Sequence, residues 1–227
     1  MKKIVSIISI FAIILSATQF VLADYSDDTT ITDGQFAYKK GTNNILAYVG
    51  TTGICEIPEN TTLKGLTPSW AKDAAPITKL IINDNVDINM IISGELVNLN
   101  KLKEVEIKEG VTEIPYQFLK GCNNLEKITL PSTIEIIDDE AFSECSKLST
   151  LDLNDGLQSI GRYAFSETTL SGNLNIPDTV THMDVTAFTD CGNLDKVHMS
   201  NNIECEKDKN YCYWFPQTDI KEINIPD

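Results

Sequence analysis

Cationic side chains are scarce in this sequence. It has a single arginine, Arg162, two histidines and 17 lysines, against 33 aspartates and glutamates, for a formal net charge of -15 with histidine neutral. Affinity for nucleic acid rests on neutralising phosphates with lysine and arginine, so no nucleic-acid partner is expected. The same balance sets the chain against anionic lipid surfaces. Long apolar runs are scarce too. Beyond Leu22 no stretch is long and apolar enough to cross a bilayer, and the last residues lack the hydrophobic tail of a lipid-anchor signal. With only His182 and His198 available, metal chemistry has few nitrogen ligands, and no cofactor is expected.

One long apolar run does exist, at the start. Lys2 and Lys3 precede Ile4 to Leu15, and Val21-Leu22-Ala23 offers small or aliphatic residues for cleavage before Asp24. The polar break at Ser16, Thr18 and Gln19 favours a cleaved secretory signal over residues 1–23, rather than an anchor helix. Removing it takes two lysines and no acids, moving the charge from -15 to -17. The mature product is expected to be secreted or cell-surface associated, with no membrane insertion.

The central feature is a repeat. Cys122, Leu125, Ile128 and Leu130 recur 23 residues on as Cys145, Leu148, Leu151 and Leu153, and again as Cys191, Leu194, Val197 and Met199. A period of this length means stacked units that bury their apolar faces only against neighbours. Extended outward, the alignment predicts about eight rungs. Each centres on two inward residues: Cys55/Ile57, Leu80/Ile82, Val105/Ile107, Ile128/Leu130, Leu151/Leu153, Leu174/Ile176, Val197/Met199 and Ile223/Ile225. Apolar and polar residues alternate there with the strand period, and proline often follows, as at Pro58, Pro131, Pro177 and Pro226.

A second inward series follows each strand, for example Ile134, Ile137, Phe142, Cys145 and Leu148. It aligns Phe142, Phe165 and Phe188 as an aromatic spine, and it weakens at Thr168 and Ser171. The segments between strands are too short for more than one or two turns of helix, so the fold class is mainly β, or α/β with minimal helix. The domain plan is a signal at 1–23, an acidic tail and β-hairpin at 24–53, and a solenoid over 54–227 with an irregular insert at 204–216. The hairpin, Phe36–Lys39 with 45–49, is expected to cap the open end of the stack, and residues 24–33 are expected to be a mobile tail. Trp70 falls in an enlarged loop on the first rung.

These residues resemble the BspA-type leucine-rich repeats of bacterial and protozoan surface proteins. The shared motif is Cys-x-x-Leu-x-x-Ile-x-Leu-Pro-x-x-Ile-x-x-Ile-x-x-x-Ala-Phe-x-x-Cys, complete from Cys122 through Ala141-Phe142 to Cys145. The resemblance implies a curved leucine-rich repeat solenoid with a parallel sheet lining one face. It also implies adhesion, meaning binding to host, matrix or cell-surface proteins. It brings no fixed catalytic residues. The sequence departs from the motif at Thr168-Thr-Leu-Ser171 and after Ile203, where regular curvature is not expected.

Six cysteines in an exported chain first suggest disulfides. Register places Cys55, Cys122, Cys145 and Cys191 in inward columns, as small buried hydrophobes. A Cys122–Cys145 bond on adjacent rungs is geometrically open but not required. Cys205 and Cys212, in the insert, are the best candidate pair. Outward columns supply the candidate protein-binding face: Glu104, Glu106, Lys127, Thr129, Asp152, Asn175, Lys196 and His198. Tyr213 and Trp214 in the insert are a second candidate contact, and Asn60 opens a glycosylation sequon.

Asp152, Asn175 and His198 fall on successive rungs, yet no nucleophile adjoins them, and a solvated face is the better reading. The expected function is therefore non-enzymatic protein recognition or adhesion. A structural subunit that self-associates through its C-terminal edge is the alternative, and a glycan-active β-solenoid enzyme comes third.

Overall fold

The computed structural model describes residues 30–32, 35–39, 41–48, 50, 52–63, 77–89, 96, 99–203 and 214–224. The expected signal at 1–23, Trp70, Cys205, Cys212, Tyr213 and Ile225 lie outside the described residues.

The chain winds as a β-solenoid, and the described residues contain no helix. Seven of the eight expected rungs carry a main-sheet strand. Ile54–Ile57, Lys79–Ile82, Glu104–Ile107 and Lys127–Thr129 form one parallel ladder, with Cys55, Leu80, Val105 and Ile128 in register. Ser171–Asn175, Asn193–His198 and Asp219–Asn224 form the other, C-terminal ladder of the main sheet. Inward and outward positions alternate along these strands, so a one-residue slip would expose the whole inward set, and this fixes the register.

The fifth expected rung is the exception. Leu151 is buried and Leu153 packs against the core, but residues 151–153 join no ladder. When hydrogen bonding resumes, the register shifts between Gly172 and Asn173, where Gly172 has φ +76°. The register shift, unlike the break at 151–153, directly follows Thr168-Thr-Leu-Ser171, where the sequence departs from its motif.

A second ladder was not anticipated. Glu113–Ile114, Ile136–Ile137, Ser159–Ile160 and His182–Met183 pair in parallel around the corner from the main sheet. Their inward members, Ile114, Ile137, Ile160 and Met183, are buried. Backbone groups on the third side also bond from coil to coil: the amides of Leu119, Phe142 and Phe165 donate to the carbonyls of Ala141, Ala164 and Ala187, each at 2.8 Å. The tight turns there place Gln117, Glu140 and Tyr163 in the left-handed region, and Glu144, Glu167 and Asp190 likewise.

The hairpin forms as expected, with Phe36–Lys39 antiparallel to Asn44–Tyr48. It has an extra strand, Thr30–Thr32, on Phe36–Lys39, so part of the segment expected to be a mobile tail is paired. It joins the stack through Asn44 and Ile45, which pair in parallel with Thr62 and Leu63, and Thr62 bridges Asp87 in the next coil. The cap thus docks on the second-ladder side rather than across the main sheet.

The core runs the length of the stack. Phe142, Phe165 and Phe188 lie in file with centroids 5.3 and 5.1 Å apart and interplanar angles of 16° and 10°. A fourth ring continues the file: Phe215, 5.2 Å from Phe188. A strict repeat would have used Tyr211, but this coil is longer, and Asn193 pairs with Asp219 across 26 residues. At the far end Ile223 is 39% exposed, whereas the residues before it in that inward column are almost fully buried.

The four cysteines in inward positions are free and buried. Rather than bond to each other, Cys122 and Cys145 donate to the carbonyls of Leu96 (3.5 Å) and Leu119 (3.3 Å), one coil below. Cys191 does the same to Phe165 O at 2.9 Å, and accepts from Thr168 Oγ1 at 3.3 Å. Burial pushes the Cys55 and Cys145 thiols far up and raises Cys191 to about 11. The thiolate is the reactive form and all four sulfurs are buried, so none of these four should alkylate with iodoacetamide at pH 8 in the native protein. All four should react after denaturation, and peptide mapping by mass spectrometry reads the difference. Labelling of native Cys145 at the denatured rate would place it outside the core.

Candidate binding surface

The outward columns of the main sheet form one solvent-facing ribbon, because alternate side chains of a strand point to one face. In its first half Glu56, Ile81, Glu106 and Thr129 stand in file, beside Lys79, Glu104 and Lys127. In the second half Asn175 and His198 lead to Asn224, beside Asn173, Lys196 and Glu222. Asp152 is exposed between the two ladders, in neither of them. The eight expected face residues therefore share a surface, while the series Asp152–Asn175–His198 is continuous only over its last two members.

Charges on this face are satisfied across rungs. Lys79 Nζ lies 3.1 Å from Glu104 Oε1 and 3.5 Å from Glu106 Oε2, and Lys108 also pairs with Glu106. The Lys108 contact holds the Glu106 carboxyl below the usual carboxylate range, with help from Lys79. Hydrogen bonding to Glu104 holds Lys79 up. In the second half Lys196 pairs with Glu222 and lowers its carboxyl, while Lys221 pairs with Asp195. Asn83 Nδ2 donates to Glu56 Oε1 at 3.2 Å. These contacts order the ribbon; exposed pairs of this kind contribute little to stability.

The apolar element of the ribbon lies at its N-terminal end. Ile54 is 55% exposed and stands beside Lys79, one column from half-buried Ile81. The signal for this patch is in the sequence: strand alternation turns Ile81 outward, and a 25-residue spacing sets Ile54 beside Lys79. The insert candidates separate. Trp214 is half-buried and packs on the core beside Phe215, so it is in part a structural residue; Tyr213 lies outside the described residues. Asn60 is exposed in a turn at φ 55°, while Thr61, the middle residue of its sequon, is buried and donates to Pro58 O at 2.6 Å. Among the described residues no cluster of three or more His, Cys, Asp or Glu side chains could hold a metal ion.

A family model for the BspA type leucine rich repeat region matches six copies in this chain, over residues 44–130, 72–195 and 112–227. The chain belongs to the BspA-type leucine-rich repeat family. Members of this family are repeat scaffolds, typically non-catalytic, and membership supports a protein-interaction module. No curated protein matches the chain. Solved structures share the fold. A leucine-rich repeat protein of T. pallidum matches with TM-score 0.51 at 22% identity, over 74% of this chain and 71% of that one. A leucine-rich repeat protein from Bacteroides ovatus matches with TM-score 0.51 at 19% identity, over 88% of this chain and 52% of the other. One from Eubacterium ventriosum matches with TM-score 0.50 at 22% identity, over 72% and 50%. The chain spans about half the length of the last two proteins.

Proposed function

We propose that this BspA-type repeat is an exported or cell-surface adhesion module that holds a protein partner along the main-sheet ribbon. One observation carries the reading: polar side chains stand in file on hydrogen-bonded ladders, so a partner meets a pre-ordered surface and little side-chain entropy is lost on docking. Six acids, Glu56, Glu104, Glu106, Asp152, Asp195 and Glu222, stand there against five lysines, Lys79, Lys108, Lys127, Lys196 and Lys221, and this slight acidic excess favours a partner with a basic face. Ile54 and Ile81 supply the apolar contact that such a patch needs near one end.

The test is binding of the mature chain to immobilised matrix and cell-surface proteins, with and without Glu106→Lys and Asp152→Lys together. Asp152 is exposed and half-buried Glu106 lies on the outward face, where its ion pairs contribute little to stability, so the variant should fold. Reversing two acids should weaken capture of a basic partner by roughly 10-fold or more, chiefly through a slower on-rate, with the loss shrinking at high salt. Undiminished binding by this variant would move the contact off the sheet.

A further inference from the structure

The corner between the main sheet and the second ladder is hollowed into a groove of about 700 Å3. Thr112, Glu135, Gln158 and Thr181 line it in file at 23-residue spacing, together with Thr179 and Gly156. At Gly156 an added Cβ would sit 2.7 Å from Ser132 O, so this position stays bare and interrupts its own column. Most polar side chains of the solenoid are tied to neighbouring groups, and these include Ser132, Thr133, Asp178, Thr181 and Asn202 of the groove itself. Asp178 accepts from Asn201, Asp139 from Arg162, Glu109 from Ser132, and Glu140 from Gln117 and Lys120. The Glu135, Gln158 and Thr179 side chains make no such bond to described residues. They are uncommitted donors and acceptors in a concavity.

The lining decides the ligand class. It contains no lysine, arginine or histidine, and its only charges are the carboxylates of Glu135 and Asp178, which excludes anions. No large apolar side chain lines it, so it offers neither the apolar wall of a drug-like pocket nor an anchor site for a peptide. What remains is a row of hydroxyl, amide and carboxylate groups recurring at the ~4.8 Å coil spacing. That repeat suits a polymer whose hydroxyls recur along its length.

We propose that this groove binds a neutral oligosaccharide laid along the solenoid axis, hydrogen-bonded by Glu135, Gln158 and Thr179 from successive coils. The site is separate from the main-sheet ribbon and does not depend on it.

Calorimetric titration of the mature chain with neutral gluco-, manno- and chito-oligosaccharides, from disaccharide to hexasaccharide, tests this. Affinity should rise with length and level off at about four sugars, because the file spans four coils, roughly 15 Å from first to last. Gln158→Ala, an exposed and unpartnered position, should weaken binding roughly five- to tenfold, and Thr179→Val similarly. Glu167→Gln, on the third side of the coil, should leave it unchanged. The proposal is overturned if none of the three series binds, or if both groove variants bind as well as the parent. Tighter binding of oligogalacturonate, or of a lysine-rich peptide, than of every neutral sugar overturns it too.

Discussion

Phe165→Ala lowers the free energy of unfolding by about 3–5 kcal/mol, measured by urea denaturation. The ring is fully buried and is sandwiched between Phe142 and Phe188 at 5.3 and 5.1 Å. Removing it discards its own burial and strips one face from each neighbour, and a solenoid coil cannot close the gap without breaking its bonds to both flanking coils. The stack is also close to one-dimensional, with each coil held by its neighbours. A cavity at Phe165 therefore weakens the coupling between the two halves, and the unfolding transition should broaden. Phe215→Ala, at the end of the file with one stacked partner, should cost less. A loss below about 1 kcal/mol for Phe165→Ala would be incompatible with this core.

Gly192→Ala destabilises by about 2–3 kcal/mol in the same assay, through overpacking rather than a cavity. A Cβ there would lie 2.4 Å from Leu170 O and 2.8 Å from Thr169 C, both backbone atoms of the preceding coil. The clash can be relieved only by separating two coils that Gly192 N itself joins, through its bond to Thr168 O. Gly172→Ala is the useful contrast. Nothing lies within 4 Å of its added Cβ, and the cost is the left-handed φ of +76°, about 1 kcal/mol. Equal losses at the two glycines would mean that the coils can part at Gly192 with little penalty.

The repeat made much of this structure readable in advance. The 23-residue spacing aligned Val105 with Ile128 and Glu104 with Lys127, and those pairs stand in register. The aromatic spine was legible for the same reason. Asn175 and His198 were aligned correctly, and the shared exposed face followed from strand alternation alone.

Other features were not readable, for identifiable reasons. The ladder break at Leu151–Leu153 leaves the inward pattern intact, so the sequence carries no mark of it. The second ladder is two residues deep at each coil, too short for an alternation pattern to register. Phe215 entered the file in place of Tyr211 because the longer last coil moved the phase. Lys79 reaching both Glu104 and Glu106 depends on side-chain reach across coils, which a linear alignment of columns does not encode.

The sequence by itself determined the direction in which each side chain faces and the order of the stack. Identical coils bury identical positions, so periodicity is a record of burial. Only the tertiary structure decided where the ladders close, which ring ends the aromatic file, and where a groove opens around Gly156. Those outcomes depend on how closely backbones some 23 residues apart approach, as at Gly156 and Gly192, and no local pattern of residue types fixes such distances.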